Sequence, residues 1–201
     1  MDKRELAQKI LDKHNGIAKT ADFISGGLSA QKVSKLCESG YLERVRHGYY
    51  QCGVKQNLSE EQLLAVLIPQ AVVCLDSALF HYGYSDFTPR KWYIAVPRTM
   101  SRIKLKVDVL PLKAVYVQKN LYELGRTTDI FNGVALPVYD RERTICDCFK
   151  YRSRLDSEIF NKALNAYVND NKKNLTNLSD YAKKLRIHKK VFEIMEVLLN
   201  A

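Results

Sequence analysis

TADFISGGLSAQKVSKLCESGYLERVRHGYYQ, residues 20–51, is punctuated like two short helices, a tight turn and a basic hairpin. Thr20 is placed to cap a first helix carrying Phe23 and Ile24, and Gly26-Gly27 supplies a turn free of Cβ crowding. Ser29 caps the next helix. Within it Val33, Leu36 and Cys37 fall at i, i+3 and i+4 as an inward stripe, which turns Gln31, Lys32, Ser34 and Lys35 outward until Gly40 ends the helix. A strand over residues 41–45, a turn at Arg46-His47-Gly48 and a second strand through Tyr49 and Tyr50 form a two-stranded wing. This is the order of a winged helix-turn-helix.

Working outward, residues 2–14 read as a helix with Leu6, Ile10 and Leu11 on one stripe, stopped by Asn15-Gly16, and residues 17–19 as a short extended piece. Together these make a first domain of residues 1–56. The polar segment GVKQNL, 53–58, marks the boundary, and a second domain of residues 59–201 follows.

The whole chain of 201 residues carries a net charge of +10 and 46% apolar residues, enough for a core in each domain. Residues 1–56 hold ten basic and six acidic residues, so +4 lies in the first domain and +6 beyond it. A pI near 9.3 favours a polyanionic partner. Five cysteines without a CxxC pair argue against a disulfide framework and a thiolate zinc site. The amphipathic, charged start of the chain has no signal-peptide core, and no run reaches the ~20 apolar residues of a bilayer span. The expectation is a cytoplasmic protein with no membrane association.

In the second domain Ser59-Glu60-Glu61-Gln62 has capping-box spacing ahead of a buried helix that Pro69 ends, and Asp76-Ser77 is placed to cap a short helix stopped by Gly83. Residues 92–96, 102–109, 114–117 and 134–138 read as strands. The second of these alternates Ile103, Leu105, Val107 and Val109 against Lys104, Lys106 and Asp108, which implies one basic face. Asn132-Gly133 is a hairpin turn signal. From Asp140 the period becomes helical and stays so to the end, with a Lys/Asn-rich connector at 169–174. The fold class is α+β: a winged helix-turn-helix, then a mixed domain with helices at about 60–82, strands at about 92–138 and a closing helical bundle over 140–200.

Read as a DNA-binding module, the helix beginning at Ser29 enters the major groove and the wing meets the flanking backbone. The candidate contacts are Ser29, Gln31, Lys32, Ser34, Lys35, Arg44, Arg46 and His47. Gln31 suits adenine, Lys32 and Lys35 suit guanine or phosphate, and the wing cations suit phosphates or the minor groove. The competing reading is a winged helix used for protein contacts. Acid-base chemistry would draw on Asp76, His81, Asp86, Asp140, Glu142, Asp147, Cys146 and Cys148, yet no spacing forces these groups together. Asp76 and Asp140 read as caps, His81 as a packing histidine and residues 141–143 as an exposed first helical turn, so no catalytic, cofactor or metal residue is assigned and the chain is read as a non-enzyme. The alternative is a nuclease, or an enzyme that modifies a partner, delivered to DNA by the winged domain.

The segments GYLERVRHGYY (40–50), SALFHYG (77–83), WYIAVPR (92–98) and DRERTICD (140–147), in this order after Thr20, resemble the AbiEi family of antitoxins of bacterial type IV toxin–antitoxin, abortive-infection systems. The resemblance implies a repressor that binds double-stranded DNA at inverted repeats in its own promoter. It also implies a role in phage defence, countering a nucleotidyltransferase-type toxin without a stable complex. His47 stands where the family commonly carries arginine, so a phosphate contact there would depend on pH.

Overall fold

The computed structural model describes residues 2–53, 58–107 and 109–200. Two compact units divide it, Met1–Leu67 with Lys106–Leu110, and Ile68–Leu105 with Pro111–Ala201. The boundary expected at 53–58 therefore lies earlier than the division between units, and residues 54–57 of that segment lie outside the described residues.

In the first unit the order is α1 (Lys3–Lys13), β1 (Ile17–Lys19), α2 (Thr20–Ser25), α3 (Ala30–Glu38), β2 (Leu42–Arg46), β3 (Tyr49–Cys52) and α4 (Glu60–Leu67). The three strands form an antiparallel sheet in the order β1-β3-β2. Asn15 and Gly16, both at positive φ, turn the chain out of α1. Ala7, Ile10, Leu11, Phe23, Leu28, Val33, Leu36 and Leu42 close one core, and Cys37 only packs against its margin, half-buried. Thr20 is not the cap of α2 but its first residue: the Asp22 carboxylate takes the Lys19 amide at 2.8 Å, because a carboxylate in the first turn reaches the free N–H groups as well as a capping hydroxyl. The capping box before α4 forms as the spacing requires, with Ser59 N–H donating to Gln62 Oε1 at 2.9 Å and Gln62 N–H to Ser59 Oγ at 3.3 Å.

The second unit runs β4 (Val72–Val73), α5 (Leu75–His81), β5 (Trp92–Pro97), a 3-10 turn (Arg102–Leu105), β6 (Leu112–Val117), α6 (Lys119–Tyr122), β7 (Arg126–Phe131), β8 (Val134–Tyr139), α7 (Arg141–Lys150), a second 3-10 turn (Arg152–Arg154), α8 (Ser157–Val168), α9 (Leu175–Lys184) and α10 (His188–Leu199). Its mixed sheet has the order β6-β5-β4-β8-β7. Asn132 and Gly133, both at positive φ, make the two-residue turn between β7 and β8.

Two expectations fail here. The strand expected over 102–109 is absent among its described residues, 108 lying outside them: Ser101 accepts the Ile103 and Lys104 amides and starts a 3-10 turn, so these backbone groups are satisfied locally rather than by a neighbouring strand. Asp76 is no cap, since α5 starts one residue earlier and the Asp76 carboxylate bonds the Tyr93 hydroxyl instead.

The turn expected to be exposed at 141–143 is the polar centre of the unit. Arg143 is 1% exposed. Its Nε donates to Asp147 Oδ1 at 3.1 Å, its Nη1 to the carbonyls of Leu121 at 2.7 Å and Leu124 at 2.9 Å, and its guanidinium lies 4.2 Å from the Tyr139 ring centroid. Glu142, also buried, accepts from the Tyr167 hydroxyl at 3.1 Å and the Asn174 amide at 2.7 Å. Asp140 is the expected cap, taking the Arg143 amide at 2.8 Å, and its other oxygen accepts from the Tyr181 hydroxyl. Arg141 reaches Asp170, which also accepts from the Tyr84 hydroxyl and the Lys172 amide.

Arg143→Ala leaves Asp147 buried and unpaired, and is expected to lower urea stability by about 3–5 kcal/mol. At Asp170 burial favours the neutral acid, but Tyr84, Lys172 and Arg141 outweigh it and hold the carboxyl below its ordinary range. The folded pKa is depressed, so the resulting stability is present above the unfolded pKa of about 3.9 and lost as pH falls through the folded value. Asp170→Asn should therefore shrink the loss of urea midpoint between neutral pH and about pH 3.

Candidate nucleic-acid interface

The candidate interface is built on α3. Ser29 caps it, its Oγ accepting the Lys32 amide at 3.4 Å. Val33 and Leu36 are buried beneath, and this anchoring turns Gln31, Lys32, Ser34 and Lys35 to solvent as one polar face. Ser34 is partly engaged, donating to Glu38 Oε1 at 3.2 Å. Gly26 sets how closely α2 approaches α1, because a Cβ there would stand 2.4 Å from Ile10 Cδ1.

The wing is a tight hairpin around His47-Gly48, and the Gly48 carbonyl accepts the Thr20 amide at 3.0 Å, which fixes its tip to the start of α2. A bulge at Val45 interrupts the ladder: Arg44 pairs with Tyr50 and Arg46 with Tyr49, while Val45 goes into the core at 0% exposure. The two wing arginines consequently have different fates. Arg44 and His47 are exposed. Arg46 is half-buried, its Nη1 donating to the Leu67 carbonyl at 2.8 Å and its guanidinium lying 4.1 Å from the Tyr49 ring centroid. Lys19 adds an exposed cation 5.7 Å from the same ring. Its only sequence signal was a basic residue at the end of a strand.

His81, Asp86, Asp140, Glu142, Asp147, Cys146 and Cys148 of the second unit are not brought together as one acid-base site. His81 Nε2 lies 3.0 Å from Asp129 Oδ2 and its ring stacks on Phe131 at 3.8 Å. Exposed Asp86 pairs with Lys162. Asp140, Glu142 and Asp147 are engaged as described above. Burial pushes the Cys146 and Cys148 thiols up, which leaves them as thiols rather than nucleophilic thiolates. Among the described residues no cluster of three or more His, Cys, Asp or Glu is arranged to hold a metal, and no helix is long and apolar enough to cross a membrane.

Residues 5–52, from within α1 to the end of β3, match a family model described as a transcriptional regulator, AbiEi antitoxin. The resemblance drawn from the sequence is matched over that segment. Among solved structures, the crystal structure of the RV2827C protein from Mycobacterium tuberculosis is similar, with a TM-score of 0.70 and 14% identity over 98% of this chain and 75% of that one. At that identity the likeness is one of fold, a mixture of helices and strands in both. No curated protein matches the chain.

Because Arg46 is bonded inward and Arg44 is not, Arg46→Ala is expected to cost about 1–3 kcal/mol in urea denaturation, against about 0.5 kcal/mol or less for Arg44→Ala.

Proposed function

We propose that this protein is a DNA-binding autorepressor and antitoxin of a type IV toxin–antitoxin, abortive-infection system, acting in the cytoplasm on its own promoter and countering a nucleotidyltransferase-type toxin. The observation that carries the reading is the face of α3. Gln31, Lys32 and Lys35 project from a capped, core-anchored helix beside a wing carrying Arg44 and His47, within the segment matched by the antitoxin regulator model.

In this reading α3 enters the major groove, with Gln31 on adenine and Lys32 and Lys35 on guanine or phosphate, while Ser29 and Ser34 line the face near the backbone. Arg44, His47 and Lys19 meet flanking phosphates, and Arg46 holds the wing in place from behind. Inverted repeats in the promoter supply two half-sites, as two copies of the module require. The second unit carries the antitoxin activity. It works without catalysis, since the acids and bases of residues 140–147 are consumed in holding the unit together.

The test is a mobility shift on the promoter fragment together with co-expression of the neighbouring toxin gene. The affinity should fall steeply with salt. Lys32→Ala and Lys35→Ala should each weaken operator binding by about 1–3 kcal/mol and relax base preference, whereas Arg44→Ala should weaken all sequences alike. Absence of a shift at low salt together with no rescue from the toxin would sink the proposal.

A further inference from the structure

The second unit holds a cavity of 590 Å³, within the roughly 300–1,000 Å³ usual for small-molecule sites. Its chemistry comes from Asp76, Tyr93, Lys113, Tyr116, Tyr151 and Arg154. Tyr93 and Lys113 are register partners across the parallel strands β5 and β6, so they stand side by side on one face of the sheet. Asp76 comes from the first turn of α5, and Tyr151 and Arg154 from the segment that follows α7.

Three features suit a phosphorylated, ring-bearing ligand. Lys113 and Arg154 are exposed cations at this cavity. Tyr151, which lines the cavity, carries two cations near its ring, Arg154 at 5.8 Å and Lys150 at 5.7 Å. An anion bound beside Lys113 and Arg154 would meet both charges. Half-buried Tyr93 and Tyr151 offer flat apolar surface, as base-stacking sites do, and Tyr116, at odd spacing from Lys113 on β6, borders the cavity from the other face of the sheet. The cavity's carboxylate is Asp76, taken out of water by burial and held by the Tyr93 hydroxyl, with acceptor positions to spare. Leu75, next to it, adopts φ 45°, a strained backbone for a residue other than glycine and of a kind that gathers at ligand sites.

A bare anion would satisfy the cations but meet Asp76. A ligand with an anion at one end, a planar ring, and two adjacent N–H donors at the other end satisfies all three features. The edge of guanine presents such a donor pair to the two oxygens of a carboxylate, whereas adenine presents a donor beside an acceptor. We propose that this cavity binds a guanine mononucleotide, with the base on Tyr93 and Tyr151 and against Asp76 and the phosphate on Lys113 and Arg154. None of its residues belongs to α3 or the wing.

Calorimetric titration of the full chain with GMP, AMP, guanosine and inorganic phosphate tests this. GMP should bind saturably, and each of the other three at least about tenfold more weakly, the discrimination expected when a buried polar group loses its partner. Lys113→Gln and Arg154→Gln should each weaken GMP binding while guanosine is little affected, and Asp76→Asn should remove the preference for GMP over AMP. Amide shifts on adding GMP to the unsubstituted protein should centre on residues 93, 113, 116 and 151, a readout that does not rely on a variant folding. Absence of saturable GMP binding at millimolar concentration, phosphate binding as tight as GMP, or shifts centred elsewhere would overturn the proposal. The operator assay reads the first unit and this titration the second, so failure of either is told apart from failure of the other.

Discussion

Burying the Arg143 guanidinium is a constraint that the second unit has to be built around. An arginine cannot shed its charge, so taking it out of water is tolerable only when its donors are met. Here Asp147, one helical turn away, supplies the counter-charge, the carbonyls of Leu121 and Leu124 accept from Nη1, and the Tyr139 ring covers a face. Each of these belongs to a different piece of chain: α7 itself, α6 and the turn after it, and β8. The same demand explains Gly125, which sits at φ 72° where a Cβ would come within 2.5 Å of Arg143 Cβ and 2.9 Å of Asp140 Oδ1. Such a pair need not add net stability; its effect is to leave the surrounding chain one arrangement in which no charge is orphaned.

Around that centre the tyrosines act as struts. Tyr139 donates to the Tyr122 carbonyl, Tyr122 to the Gln70 carbonyl and Tyr82 to the Tyr139 carbonyl, while Tyr167 and Tyr181 brace Glu142 and Asp140. Large rings fill volume and their hydroxyls find polar partners without bringing in new charge. The run DRERTICD, which has the composition of an acid-base site, is therefore a structural keystone. The first unit divides its polar groups differently. Its main core cluster is built of apolar side chains, with Gln51 and Glu61 buried elsewhere in the unit, its caps and glycines set the angles, and the cations on α3 remain turned to solvent.

Signals acting over a few residues could be read directly. Ser29 and Asp140 cap, Ser59 and Gln62 form their reciprocal box, and Asn15-Gly16 and Asn132-Gly133 turn the chain, because each depends on backbone groups no more than four residues away. The alternation over 102–109 misled because a period of two describes which way side chains would point and does not provide a partner strand. Arg46 was legible as a wing cation but not as a buttress. Nothing near it in sequence announces a bond to a carbonyl 21 residues later.

From the residues alone follow the kinds and order of most elements, the winged helix, and the outward face of α3, since helical period and capping chemistry are local properties of the chain. The tertiary structure alone decides which charges remain available. Arg143 reaches a carbonyl 22 residues back, and Glu142 meets a tyrosine 25 residues on. The gathering of Asp76, Lys113 and Arg154 at one cavity likewise depends on strand pairing and helix packing. Hydrogen bonds and desolvation act through space over a few ångströms, and sequence distance carries no record of that proximity.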